Sequence, residues 1–163
     1  MLTSEECGRI RGFCYGWKGS QEEIERDMGY ARRLALNSTR IWLRYQEYYE
    51  NPKEYIEKLR NFIRTAYRFG ITTMPVIFNG NMIDISILGK DWRGTGEAYS
   101  KGIVETLMNE EGIIMWDIMN EPTANEYSTK NQDPDQRQRH LETLWDFYAI
   151  SRALSKALTV KHL

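Results

Sequence analysis

The sequence predicts an α/β fold of parallel strands joined by crossover helices, with four strand-helix units present. Three observations carry this. Four short segments rich in apolar, β-branched or aromatic residues start at Arg11, Ser38, Ile71 and Ile113. Amphipathic stripes at helical spacing, several with caps, fill the intervals. The units recur every roughly 30 to 45 residues without any sequence repeat, and such alternation calls for parallel strands. Two architectures satisfy it, a doubly wound open sheet and a (β/α)8 barrel. No Gly-x-Gly-x-x-Gly follows a strand, so the dinucleotide-binding variant lacks its signature. A full barrel needs about 250 residues, so as a barrel these 163 residues, read as a single domain, would supply four of the eight units, a half-barrel.

Arg11 to Trp17 reads as a short aromatic strand loosened by Gly12 and Gly16. Ser20 and Glu23 form a capping box in which each side chain serves the other residue's amide. Ile24, Met28, Ala31, Leu34 and Ala35 then mark a helix closed by Asn37. Ser38 to Arg44 is the second strand, with Thr39, Ile41 and Leu43 on one face and Arg40, Trp42 and Arg44 on the other. Asn51-Pro52 pairs a cap with proline at the first helical position. The stripe Tyr55, Ile56, Leu59, Phe62, Ile63 and Ala66 follows, and Gly70 ends it.

Ile71 to Asn79 is the third strand, and Pro75 requires that its missing amide donor be tolerated there. Residues 80–95 form a long connection of the kind that serves as a lid or binding loop. A helix at Glu97 to Asn109 carries Ile103, Val104, Leu107 and Met108 and stops near Gly112. The fourth strand, from Ile113, ends in Asn120-Glu121-Pro122. Pro122 should hold Glu121 extended on a stiff strand-to-loop corner. Asp133-Pro134 begins a last helix expected to bury Leu141, Leu144, Trp145, Tyr148 and Leu154.

Composition excludes several classes. Apolar residues make up 41 %, aromatics 12 %, and the formal net charge is −1. That balance recommends neither a nucleic-acid nor an anionic-membrane partner. No apolar run approaches the roughly 20 residues that span a bilayer, and Met1 to Arg11 shows no export signal. Cys7 and Cys14 do not make a disulfide scaffold. Two histidines and no metal-ligand spacing give no zinc site and imply no cofactor. The expectation is a soluble, cytoplasmic protein.

Glu121 is the candidate catalytic residue, a carboxylate at the carboxyl end of a strand, where α/β sites lie. An exposed loop glutamate is the alternative. Asn120 can donate and accept, which suits a sugar hydroxyl; otherwise it is a turn-former. Arg40, a charge inside a strand, should meet a carboxylate unless it faces solvent. Trp17 and Trp42 offer flat faces for sugar rings, with core packing as the alternative. Asn79, ending the third strand, falls where another polar site residue belongs. Cys7, Cys14, His140 and His162 read as structural or solvated.

Ile-Met-Trp-Asp-Ile-Met-Asn-Glu-Pro at 114–122, with Thr-Arg-Ile-Trp-Leu at 39–43, resembles the first half of a clan A glycoside hydrolase. The likeness is greatest to family 5-like cellulases and xylanases and runs from about Arg11 to Leu158. It implies a TIM barrel cleaving β-linked poly- or oligosaccharides with retention. It also implies Glu121 as acid/base, Asn120 as contact to the substrate 2-hydroxyl and Arg40 as support for the nucleophile. Retaining enzymes need a second carboxylate about 5 to 5.5 Å away, which the clan places on strand seven. Asp117 sits about 13 Å deeper along the strand and does not serve. The expectation is an N-terminal fragment or truncated gene product, inactive by itself and prone to self-association through open barrel edges. The alternative is a non-catalytic carbohydrate-binding or assembly module.

Overall fold

A computed structural model of the chain describes residues 8–79, 96–121, 133–139, 141, 142, 144–146 and 149. The elements are β1 (Gly12–Cys14), α1 (Gln21–Arg33), β2 (Ser38–Trp42), α2 (Tyr45–Glu50), α3 (Pro52–Arg68), β3 (Thr72–Asn79), α4 (Glu97–Leu107) and β4 (Asp117–Asn120). The strands form one parallel sheet in the order β1-β2-β3-β4. A doubly wound sheet reverses its strand order at a switch point. The four described strands contain no such reversal. The connection at 80–95, Trp92, Pro122, His140, Tyr148, Leu154, His162 and Cys7 lie outside the described residues.

Local chemistry explains the helices. Ser20 caps α1 by accepting from the Glu23 amide while Glu23 accepts from the Ser20 amide, which completes the capping box. The helix ends earlier than the apolar spacing suggests. Leu34 is the C-cap and is 72 % exposed, and Ala35 takes φ 57. Asn37 is not the cap. Its side chain instead accepts from the Arg11 amide at 2.7 Å and donates to the Arg9 carbonyl at 2.9 Å, tying the β2 entry to β1. Asn51 caps α3 through the Glu54 amide, and Gly70 leaves that helix at φ 75, a conformation that costs glycine little. The short helix α2 was not expected. Its Tyr-Gln-Glu-Tyr-Tyr-Glu lacks an apolar stripe of helical length and has no side-chain cap.

Strand alternation sets what is buried. In β2, Thr39 and Ile41 are buried while Arg40 and Trp42 are half-buried. Ile41 joins Met28 of α1, Leu59 and Ile63 of α3, and Ile103 and Leu107 of α4 in one core. Leu144 of the last helix is buried with them, but Trp145 is 56 % exposed, contrary to expectation. Gly112 allows the turn into β4 to press against α3. A Cβ there would stand 2.8 Å from Ile63 Cγ2 and 3.1 Å from the Ile63 carbonyl oxygen.

The fourth strand departs most from expectation. Its ladder covers only Asp117–Asn120, preceded by an isolated bridge between Thr73 and Ile113. Partners are offset by 40 residues at that bridge and by 41 from Val76–Asp117 onward. One extra residue is therefore accommodated in 114–116, which is the arithmetic of a β-bulge. Of Ile113 to Asn120 only Met119 is fully buried, since β4 is an edge of the described sheet. The bulge also accounts for Pro75. Thr73 donates to Gly112 and accepts from Ile114, so it bonds to the β4 side. Alternate residues of a parallel strand bond to the same neighbour, so Pro75 turns its missing donor toward 114–116, where the ladder is interrupted.

Outside the sheet, Glu110 fastens α3 to the turn after α4. It accepts from Arg60 Nε at 3.0 Å and from Arg64 Nε and an Arg64 terminal nitrogen at 2.8 and 2.9 Å. The Arg64 hydrogen bonds, with help from Arg60 and against partial burial, hold its carboxyl below the usual range. A depressed folded pKa gives stability that is present above the unfolded value, about 4.3, and lost as pH falls through the folded one. Glu110→Gln is expected to cost about 1 kcal/mol at neutral pH, an amount kept small because Arg64 is largely exposed. Urea melts of both proteins from pH 7 to 3 should converge as the pH falls.

Candidate active site

Three side chains predicted as site residues come together where β2, β3 and β4 run side by side. Register places Arg40 beside Met74, Trp42 beside Val76, Val76 in turn beside Asp117, and Asn79 beside Asn120. Asn79 and Asn120 are the last residues of their strands. The Arg40 guanidinium spans the distance. Its Nε and a terminal nitrogen donate to the same Asp117 oxygen at 3.0 and 2.6 Å, and that nitrogen also reaches Asn120 Oδ1 at 3.0 Å. Asn120 Nδ2 then donates to Asn79 Oδ1 at 3.2 Å. The carboxylate that Arg40 meets is thus on β4.

Residues three apart on a regular strand face opposite ways, yet Asp117 and Asn120 bond to one guanidinium. The arginine is long enough for one guanidinium to reach both. The arginine side chain is 27 % exposed and that of Asp117 22 %, so water screens the pair only in part. The guanidinium carbon also lies 4.9 Å from the Trp42 ring centroid, a cation–π contact that uses one face of the indole.

Glu121 follows immediately, but its backbone is not extended. It adopts φ 47, in the left-handed region, although proline comes next. A non-glycine residue there costs of order 1–3 kcal/mol, and such strain gathers at functional sites. The extended backbone expected at the acid is therefore not what Glu121 adopts.

Trp17 is placed differently from the sugar platform considered for it. It is 5 % exposed, donates its indole N–H to the Trp42 carbonyl at 2.9 Å, and meets Tyr55 edge-on at 5.4 Å. Its faces belong to the core, and its contribution to the site is to anchor the β2 exit. A groove of about 580 Å³ does run past Trp17, between Lys18, Glu47, Asn51 and Tyr55, but Arg40, Asn79, Asn120 and Glu121 do not line it.

Sequence reasoning missed two features here. Asp117 was set aside as a catalytic partner without being matched to Arg40, although an acid inside an apolar strand is the signal for such a pair. The tyrosine cluster of α2 was missed with the helix: Tyr45 and Tyr48 pack edge-on against Tyr99, at 5.4 and 5.0 Å. Among the described residues no helix is long and apolar enough to cross a membrane, and no group of three or more His, Cys, Asp or Glu could hold a metal ion.

No protein-family model and no curated protein matches the chain. Five chains of solved structures do. One is a β-mannanase from the blue mussel Mytilus edulis, with 21 % identity over 63 % of this chain and a TM-score of 0.49. The match spans 35 % of the mannanase. The parallel order of the four described strands stands on their own register.

Proposed function

We propose that this chain carries the acid/base half of a retaining β-glycosidase site acting on β-linked poly- or oligosaccharides. The observation that supports it is the Asn120-Glu121 pair at the end of the fourth parallel strand, with the amide held by Arg40 from the second. In a double displacement Glu121 gives its proton to the glycosidic oxygen while a carboxylate attacks the anomeric carbon. Glu121 then takes a proton from the water that releases the sugar. Asn120 holds the substrate 2-hydroxyl, and the Trp42 ring supplies apolar surface beside it.

The attacking carboxylate is the part these strands do not provide. Asp117, the acid within β4, is committed to Arg40. In this reading the nucleophile comes from a later strand of a barrel, and the edges of β1 and β4 are where further strands, or a second copy, would pair.

The chain assayed alone on activated aryl β-glycosides is expected to give no turnover above that of Glu121→Gln. Turnover that Glu121→Gln abolishes would refute the need for an outside carboxylate. β-Linked tetrasaccharides of mannose, glucose and xylose should shift the NMR signals of the Arg40 and Asn120 side chains. Silence from the whole panel would sink the glycan reading.

A further inference from the structure

The hydrogen bonds joining β2, β3 and β4 have a direction, and the direction has a consequence for Asn79. Arginine has donors and no acceptor. The group of Asn120 that meets Arg40 must therefore be its oxygen, as observed at 3.0 Å. That leaves the Asn120 NH2 facing Asn79, so the Asn79 group facing it must be an oxygen too, as observed at 3.2 Å. The Asn79 NH2 is then turned away from the network and has no partner among the described residues. Neither amide can flip without placing donor against donor.

The polarity originates at Asp117. Its carboxylate takes both the Nε and the terminal N–H of Arg40 on one oxygen, which fixes the plane of the guanidinium and aims the shared nitrogen at Asn120. We propose that Asp117 is a positioning residue that sets, through Arg40 and Asn120, the amide orientation of Asn79, so that the end of β3 presents an N–H donor to an acceptor oxygen of the bound sugar. The donor role rests on the glycan reading above; the relay does not. A donor at this place selects for a sugar oxygen whose lone pair faces β3. It discriminates against a sugar that presents only a hydrogen there, since the amide would then be desolvated without a partner.

Two sets of measurements separate the relay from the reading it rests on. Without ligand, NMR of the Asn79 and Asn120 side-chain amides and of Arg40 Nε–H reports the relay. Asp117→Ala should move all three sets of signals, and Asp117→Asn, which keeps an acceptor for Arg40, should restore the Asn79 pair toward its natural position. Asn120→Asp keeps the oxygen for Arg40 and removes the donor to Asn79, so it should move the Asn79 signals even if Asp117→Ala does not fold. Asn79 signals unchanged in Asn120→Asp would overturn the relay.

With ligand, Asn79→Asp keeps an oxygen for Asn120 and removes the NH2. It is expected to weaken tetrasaccharide binding about tenfold, the equivalent of one hydrogen bond of about 1.4 kcal/mol. A purely structural Asn79 would leave affinity unchanged in this variant, and that result would overturn the donor role. Absence of binding by the natural chain would refute the glycan reading and the donor role together, while the amide signals would still decide the relay.

Discussion

Arg40→Ala is expected to lower the unfolding free energy by about 2–3 kcal/mol, more than a surface ion pair contributes. The substitution removes three hydrogen bonds at once, two to Asp117 and one to Asn120, and leaves a carboxylate that is 22 % exposed without its cation. Breaking a fully buried pair costs about 3–5 kcal/mol; both partners here keep about a quarter of their surface in water, so the smaller figure applies. The cation–π contact with Trp42 adds a further fraction. Asp117→Ala should cost less, because the freed guanidinium retains Asn120 and the indole. The double variant should then fall short of the sum of the single ones, with a coupling of about 1–2 kcal/mol. Urea denaturation of the four proteins measures it. Additive costs would mean that the two side chains stabilise the sheet independently, and the network would lose its meaning as a unit.

What could be read beforehand follows from which signals are local. The α3 stripe from Tyr55 to Ala66 is buried as its period requires, and its Asn51 cap forms, because cap and stripe lie within one short segment. The two faces of β2 also follow from simple alternation, which placed Arg40 and Trp42 together. The end of β4 was less legible. Its bulge appears only when Ile113 and Asp117 are registered against β3, a non-local fact with no local mark in the sequence. The left-handed Glu121 runs against the preference that a following proline imposes. Local reasoning therefore predicted the wrong backbone at Glu121. The pairing of Arg40 with Asp117, separated by 77 residues, was within reach. A charge on each of two strands needs a partner, and the two strands were already in hand.

The largest stability effect is expected away from the network, at Tyr99. This residue is fully buried at the start of α4 and packs edge-on against Phe78, Tyr45 and Tyr48, with centroids 5.0 to 5.4 Å apart. Its hydroxyl donates to the Ile77 carbonyl at 3.2 Å. It therefore links α4 and α2 to the end of β3, the segment that delivers Asn79. Tyr99→Ala is expected to cost about 3–5 kcal/mol, as for other large aromatic truncations that leave a cavity. Tyr99→Phe keeps the ring and should cost about 1 kcal/mol for the lost hydrogen bond. The alkaline limb of the stability curve separates the two contributions. Burial pushes the Tyr99 hydroxyl well above the ordinary tyrosine value, with the neighbouring tyrosines and Glu47 adding to it. A raised folded pKa gives stability that is complete below the unfolded value of about 10 and is lost as pH rises past it toward the folded one. The natural chain should weaken above that pH more steeply than Tyr99→Phe, with Tyr55 and Tyr15, both also raised by burial, contributing to the slope that remains. Parallel alkaline limbs for the two proteins would show that Tyr99 ionises as freely in the folded chain as in the unfolded one, and its place as the buried link between α2, α4 and β3 would have to be given up.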